Sequence, residues 1–276
     1  MSTLFVVGTP IGNLEDITLR AMRILREVGL IAAEDTRHTR HLLSHFEITT
    51  PLTSYHEHNK DKKLSVLLEA LRENDVALVS DAGMPGISDP GYELVRAARE
   101  AGHMVRAVPG PSAVTTALAI SGLPVDQFVY VGFLPRKKGE RAAVLSELAR
   151  ETRTIVAFET PHRLLAALED IAQHLGERPL AVARALTKVH EEVVRGTAQD
   201  LLAHFAAGPI KGEFTLVIGP GQVDKKTEPG RVRGRLSELR REGLSARDAV
   251  AQVAAETGES RRSVYQTLLE METPGW

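Results

Sequence analysis

The apolar residues of this chain fall into short continuous runs that alternate with longer, regularly spaced stripes. Residues 4–7 and 76–79 form continuous apolar runs, which are typical of strands buried on both faces of a sheet. Over residues 161–175, apolar side chains recur every three or four positions, which predicts an amphipathic helix. Because such strands and helices alternate along the chain, the pattern predicts an α/β fold with a largely parallel sheet.

The same pattern places most elements of the first 220 residues. Strands are predicted at 3–7, 30–33, 76–79, 103–108, 128–131, 154–158, 180–184, 192–196 and 214–218, and residues 51–59 are predicted to form a strand and a loop. Helices are predicted at 17–28, 60–72, 89–101, 113–120, 138–152, 161–175 and 197–206. The strands at 180–184 and 192–196 are too close in sequence for a helical crossover, so they predict an antiparallel pair and a mixed sheet in the second half.

Three domains follow from this arrangement. We expect a first α/β domain at residues 1–111, a second with a mixed sheet at 112–220, and a basic linker with a helical C-terminal extension at 221–276. The extension opens with seven Lys and Arg against two Glu between residues 225 and 241. Two helices at 245–257 and 260–272 then resemble a small helix-turn-helix unit. A packing or dimerisation appendage is the alternative interpretation.

Composition narrows the class of protein. The formal net charge of the 276 residues is -2, so nucleic-acid binding would depend on local basic patches. The chain has no Cys, which excludes disulfides and thiolate chemistry and fits a cytoplasmic location. No window approaches the roughly 18 consecutive apolar residues of a membrane span, and the N-terminus lacks the basic region of a signal peptide. We therefore expect a cytoplasmic protein with no membrane association.

A polar loop follows the strand at 76–79 and contains Asp81 among glycines and prolines. In open α/β sheets, the loops at the carboxyl ends of the strands line the ligand crevice, so Asp81 is predicted to lie in a binding site. Ser88 is predicted to cap the helix at 89–101, with Pro90 in its first turn. The alternative is a tight connection between strand and helix that binds no ligand.

Common site motifs are missing. Residues 8–13 lie where a dinucleotide fingerprint would stand, but they lack the G-x-G-x-x-G spacing. The chain also has no phosphate-binding G-x-x-x-x-G-K-[ST] and no hydrolase G-x-S-x-G. His41 and His45 would share one helical face, but no third ligand is indicated, so we predict no metal site.

Two further groups could carry chemistry. Glu159 lies at the carboxyl end of a predicted strand, where it could act in a site or simply pair with Arg163. A cluster of cations follows the strand at 128–131, and clustered cations can neutralise adjacent phosphates. A solvated charge run is the alternative for that cluster. Its members are Arg136, Lys137, Lys138 and Arg141.

Taken together, the loops resemble the motif series of the tetrapyrrole-methylase superfamily. The matching segments are GTPIGN (8–13), EDTR (34–37), SDAGMP (80–85), DPG (89–91), PGPSA (109–113), GFLP (132–135) and FETPHR (158–163). They occur in order over about residues 4–220 and most resemble the members that act on ribosomal RNA. Relatives that act on tetrapyrroles carry Gly-Asp-Pro where this chain has Ser80-Asp81-Ala82, which argues against a porphyrinoid substrate.

The resemblance implies a two-domain tetrapyrrole-methylase-like fold, assembled as a homodimer, that binds S-adenosylmethionine between its domains. It also implies methylation of the ribose 2′-hydroxyl of a cytidine in the decoding region of 16S rRNA, with that rRNA or the 30S subunit as partner. By family position, the cofactor would contact Pro10, Asp81, Met84, Ser112, Ala113, Phe158, Leu186 and Phe214.

The residues that act on the acceptor stay open. A ribose hydroxyl is a weak nucleophile, so a general base would accelerate the reaction. Glu159, Asp35 and Lys188 are candidates, and the sequence does not choose among them. Arg37, with the cluster of cations after residue 135, is a candidate to bind RNA phosphates. A tetrapyrrole methyltransferase and a non-catalytic RNA-binding protein on the same fold are the alternative functions.

Overall fold

The computed structural model describes residues 2–221 and 229–272. The chain divides into two compact units, Met1–Gly221 and Gln222–Trp276. Within the described ranges, no helix is both long enough and apolar enough to cross a membrane.

The first sheet is entirely parallel. Its strands are β1 (Thr3–Val7), β2 (Leu30–Ala33), β3 (Leu52–Ser54), β4 (Val76–Val79) and β5 (Met104–Val108), and its helices are α1 (Leu19–Glu27), α2 (Thr36–His45), α3 (Lys60–Glu73) and α4 (Tyr92–Glu100). The strand order is β3-β2-β4-β1-β5. All four residues of the central β4 are buried, with Ala77 and Val79 in one apolar cluster and Val76 and Leu78 in another. Helices therefore cover both faces, which explains the continuous apolar run.

The second sheet is mixed, as predicted. Its strands are β6 (Phe128–Phe133), β7 (Thr154–Glu159), β8 (Leu180–Arg184), β9 (Glu192–Gly196) and β10 (Phe214–Ile218), and its helices are α5 (Ala113–Ser121), α6 (Lys138–Leu148), α7 (Leu164–Leu175) and α8 (Ala198–Ala206). The order is β6-β7-β10-β8-β9. Strands β6 and β7 are parallel, and the other neighbours, including the predicted pair β8 and β9, are antiparallel. The predicted α/β fold is thus confirmed.

The two faces of the second sheet have different neighbours. Helix α5 packs on one face, where Val114 and Leu118 share an apolar cluster with Val156, Val217 and other strand residues. Helices α6, α7 and α8 cover the other face. Ile11, from the loop after β1, joins the α5 cluster. This contact fixes the end of the first sheet against the second.

The start of α4 differs from the prediction. The helix begins at Tyr92 and not at residue 89, and Gly91 is its N-cap with φ of 155°. Ser88 has φ of 63° and cannot cap the helix, since its side chain instead bonds to the Tyr130 hydroxyl at 2.6 Å. Residues 88–91 form a turn, and Asp89 therefore lies in the loop and not in the helix.

The C-terminal unit is a three-helix bundle of α9 (Pro229–Arg241), α10 (Ala246–Thr257) and α11 (Arg261–Glu272). A basic linker was expected where α9 stands. Val232, Leu236 and Leu239 of α9 recur at helical spacing and enter the buried core of the bundle. The arginines between them hid this periodicity. Lys225, Lys226 and Glu228 of the predicted basic stretch lie outside the described residues.

Candidate active site

A cavity of about 310 Å³ lies between the carboxyl ends of strands from both sheets. Strand β10 runs antiparallel to β7, so the first residues of β10 lie beside the last residues of β7. The lining comes from the loops after β1, β2, β4 and β5, from the ends of β6 and β7 with the turn after β7, and from the start of β10. Its members are Ile11, Glu34, residues 81–84, 87–89 and 112–114, Phe133, and residues 158–161 and 213–215.

Direct backbone packing holds three of these loops together. The Thr9 amide donates to the Gly83 carbonyl at 2.9 Å, and the Gly83 amide donates back to Thr9 at 3.1 Å. A Cβ on Gly8 would lie 2.8 Å from the Gly110 Cα, so the loops after β1 and β5 approach closely only because both positions are glycine. The loop that carries Asp81 and Met84 is thereby fixed in place.

The ionisable residues of the lining are all acidic: of the described residues that contact the cavity, five are Asp or Glu and none is Lys, Arg or His. These five are Glu34, Asp81, Asp89, Glu159 and Glu213. Burial raises the pKa of Glu34. Burial, followed by the charge of Glu34, raises the pKa of Asp89 to about 7. Such a lining favours ligands that carry positive charge or many hydrogen-bond donors.

Two aromatic residues line the second-sheet side. The ring centroids of Phe158 and Phe133 are 5.5 Å apart with the planes inclined at 62°, and Tyr130 packs on Phe158 at 5.2 Å. Phe133 is 51% exposed despite being apolar. The cavity therefore combines an acidic wall with an aromatic one.

Most residues predicted to bind a cofactor converge on this cavity. Asp81, Met84, Ser112, Ala113, Phe158 and Phe214 line it. Pro10 and Leu186 are outside the lining. Ile11, the neighbour of Pro10, lines the cavity instead, and Leu186 is buried in the same apolar cluster as Ile11. Ser112 stands at the N-cap of α5, but its side chain makes no capping hydrogen bond.

Among the three catalytic candidates, only Glu159 contacts the cavity. Its side chain is fully buried, and its Oε1 accepts hydrogen bonds from the Thr160 amide at 2.7 Å and from Arg163 Nε at 2.7 Å. This ion pair is the structural role anticipated as the alternative. The carboxylate of Glu159 is buried. Side chains alternate along a strand, so Glu159 points to the face of β7 opposite to Phe158. Glu159 is therefore better suited to hold the turn after β7 than to act on a substrate.

Asp35 and Lys188 lie outside the cavity lining. Asp35 caps α2 and pairs with Arg37 at 2.7 Å, while its backbone amide donates to Asp81 at 3.0 Å. Lys188 Nζ lies 3.3 Å from the carboxylate of Glu213. Both residues therefore border the site through a neighbour. In the described ranges, no group of three or more His, Asp or Glu side chains could hold a metal ion.

The cluster of cations divides into exposed and buried members. Arg136, Lys137 and Lys138 are exposed. Arg141 is buried and pairs with Asp170 at 2.7 Å, so its expected role as a phosphate ligand is wrong. Its spacing from the buried Leu145, four residues along α6, was the signal in the sequence. Arg37 remains a candidate, since its side chain is 86% exposed.

Two further lining residues were not selected from the sequence. Asp89 was assigned to the start of a helix, and Phe133 was placed in the GFLP segment after the strand at 128–131, with no role of its own. The glycines on either side of Asp89 and the Gly132 before Phe133 were the available signals, because each can adopt positive φ and break regular structure.

The fold is that of the tetrapyrrole methylases. The model of the family described as Tetrapyrrole (Corrin/Porphyrin) Methylases matches residues 3–202. A diphthine synthase structure superposes with a TM-score of 0.63 at 14% identity, over 79% of this chain and 90% of that one. A cobalt precorrin-4 methyltransferase superposes with a TM-score of 0.61 at 19% identity, over 79% and 94%.

Sequence relatives define the group more narrowly. A ribosomal RNA small subunit methyltransferase I from Synechocystis sp. is 50% identical over an alignment of 279 positions that covers 100% of each chain. The protein of that name from Escherichia coli O157:H7 is 44% identical over 98% of this chain and 95% of its own length. The model described as RsmI C-terminal HTH domain matches residues 227–272. The chain belongs to the ribosomal RNA small subunit methyltransferase I group of the tetrapyrrole methylase family.

Proposed function

We propose that this protein transfers a methyl group from S-adenosylmethionine to the ribose 2′-hydroxyl of a cytidine in the decoding region of 16S rRNA. The observation that carries the proposal is similarity over the whole chain to proteins named for methylation of small-subunit ribosomal RNA. The tetrapyrrole methyltransferase structures share the fold at identities of 19–23%, which is no guide to the substrate.

The cavity fits the methyl donor. Its volume of about 310 Å³ is at the lower end of the roughly 300–1,000 Å³ of small-molecule sites. The carboxylates of Asp81 and Glu34 suit a sulfonium and the hydroxyl groups of a ribose. The first turn of α5, at Ala113 and Val114, offers backbone N–H groups without helical partners, which suit a carboxylate. When bound, the sulfonium supplies the methyl group.

The role of the protein in the transfer is mainly positional. In-line displacement needs the hydroxyl aligned with the methyl group, and alignment can supply several kcal/mol of the barrier. We propose Asp89 as the group that accepts the hydroxyl proton, because it lines the cavity and has a pKa raised to about 7. Glu159, Asp35 and Lys188 are less suited, since each is already engaged in an ion pair.

The acceptor is proposed to approach from the side of β6. Arg136, Lys137 and Lys138 are exposed at the loop that follows Phe133, so they could hold phosphates that flank a nucleotide in the cavity. Arg37 is a second candidate phosphate ligand. The C-terminal bundle is proposed to add RNA affinity, and the protein to act as a homodimer.

Methyl transfer with separated acceptors tests this proposal. The protein is incubated with methyl-tritiated S-adenosylmethionine and, in separate reactions, with small ribosomal subunits, large ribosomal subunits or a porphyrinoid. We expect label in 16S rRNA alone. Label on the porphyrinoid would favour the tetrapyrrole alternative, and cofactor binding without transfer to any RNA would contradict the proposed substrate.

A further inference from the structure

The segment that ends β6 contains an irregularity directed at the cavity. The register between β6 and β7 shifts between Tyr130 and Phe133, and Gly132 has φ of 68°. Bulges of this kind re-aim a side chain and are frequent beside active sites. Phe133 consequently lines the cavity while remaining 51% exposed. The exposed half of the ring is therefore available to a ligand in the cavity.

A second exposed apolar residue lines the same cavity from the first sheet. Ile87 is 50% exposed and precedes Ser88 in the turn before α4. The Ser88 hydroxyl bonds to the Tyr130 hydroxyl at 2.6 Å, and a Cβ on Gly132 would lie 3.3 Å from Ser88 Oγ. The segments that carry Ile87 and Phe133 are thus joined directly, although they belong to different sheets.

The surroundings of this pair fit a nucleotide. Phe158 is inclined at 62° to Phe133, so it does not cover a face of that ring by parallel stacking. Asp89 follows Ser88, and its charge contributes to the raised pKa of Tyr130, whose main cause is burial. Arg136 and Lys138 stand a few residues beyond Phe133 and have no ion pair within the described residues. An aromatic face beside cations is the usual arrangement for an unstacked base and its phosphates.

We propose that Phe133 and Ile87 form the walls of a slot for the base of the acceptor nucleotide, which leaves its stack in the RNA and lies against the ring of Phe133. The inference rests on the proposed function, because it assigns the acceptor side of the same site. Stacking on an aromatic ring is tolerant of base identity. The slot therefore positions the ribose near Asp89 and does not itself select cytidine.

Phe133→Ala tests the slot against a matched control. Phe128 lies on the same strand, is 41% exposed against 51% for Phe133, and is outside the cavity lining, so Phe128→Ala removes a partly exposed ring elsewhere. Loss of one stacking contact predicts a fall in kcat/KM for small subunits of roughly 5- to 150-fold in Phe133→Ala. Phe133→Trp should retain most activity. Because Phe133 also lines the cavity, the affinity for S-adenosylhomocysteine is measured in parallel, and Phe133→Ala should lower it by less than it lowers kcat/KM.

A spectroscopic readout reports the base directly. A fluorescent cytidine analogue at the acceptor position brightens when it leaves its stack, and stacking on a protein ring quenches it again. We expect the bound analogue to emit more strongly in Phe133→Ala than in wild type, because the quenching ring is removed. Phe128→Ala should leave the emission unchanged. Equal kcat/KM and equal emission for the two alanine variants would overturn the slot. No transfer by wild type would instead contradict the proposed function.

Discussion

Replacing Asp89 with Asn should make the stability of the protein less dependent on pH. Asp89 lies in a loop between Glu34 and the second sheet, and its pKa is raised from 3.8 to about 7, mainly by burial. The folded protein therefore holds this proton more tightly than the unfolded chain. The stabilisation is complete below pH 4 and is lost as the pH rises through 7, because the unfolded chain ionises first.

The size of the effect follows from the shift in pKa. The difference between about 7 and 3.8, at 1.36 kcal/mol per unit, sets an upper limit of about 4 kcal/mol. Asp89 is only partly buried, so solvent screening reduces this figure to about 2 kcal/mol. An Asn side chain cannot ionise. At pH 8 we expect Asp89→Asn to be more stable than wild type by that amount, with the difference fading towards pH 4.

Urea unfolding followed by circular dichroism at pH 5, 6, 7 and 8 measures this difference. Asp126→Asn is the control, because Asp126 is exposed in a loop and the chemical change is the same. A curve for Asp89→Asn parallel to wild type at every pH would refute the burial argument. If Asp89 also accepts the proton, the methyl-transfer rate of wild type should rise with pH through about 7, and Asp89→Asn should lower it by roughly 10²- to 10⁴-fold.

Three further predictions concern other parts of the chain. Asp81→Ala and Ser112→Trp should each weaken binding of S-adenosylhomocysteine in calorimetry, the first by loss of a carboxylate and the second by filling the cavity; unimpaired binding would contradict the site. Arg141→Ala should lower the free energy of unfolding by roughly 3–5 kcal/mol, because it leaves Asp170 buried and unpaired; a change below 1 kcal/mol would mean that the pair is dispensable. Removal of residues 222–276 should weaken capture of small subunits and spare cofactor affinity, since residues 1–221 are a compact unit of their own; equal losses would assign the bundle a structural role.

The fold was predictable because strands that are buried on both faces are recognisable in the sequence as continuous apolar runs. The run at β4 is apolar at every position because helices cover both faces of the first sheet. The antiparallel pair β8 and β9 was predictable because the chain between them is too short for a crossover. Asp81 could be placed in a binding site because it follows a strand, and the carboxyl ends of parallel strands share one edge of the sheet, where ligands bind.

Residues whose roles depend on contacts between distant segments were not predictable. Ser88 was predicted to cap a helix because Ser is a frequent N-cap, but the hydrogen bond of its hydroxyl to the Tyr130 hydroxyl holds it in a turn. Arg141 was predicted to be a surface cation, but it is buried because it pairs with Asp170, which lies 29 residues away in sequence. Phe133 was expected beyond a strand that ends at residue 131, whereas β6 runs to Phe133 and its bulge at Gly132 turns the ring towards the cavity. For Ser88 and Arg141, the deciding partner is remote in sequence.

Nucleoside mass spectrometry of the methylated RNA tests the central claim most directly. Small subunits that have been incubated with the protein and S-adenosylmethionine carrying a deuterated methyl group are digested to nucleosides and, in parallel, to mapped fragments. We predict a single labelled species, 2′-O-methylcytidine, in a fragment from the decoding region of 16S rRNA. Deuterated methyl on a base, on another nucleoside or in a distant fragment would contradict the assignment of the acceptor.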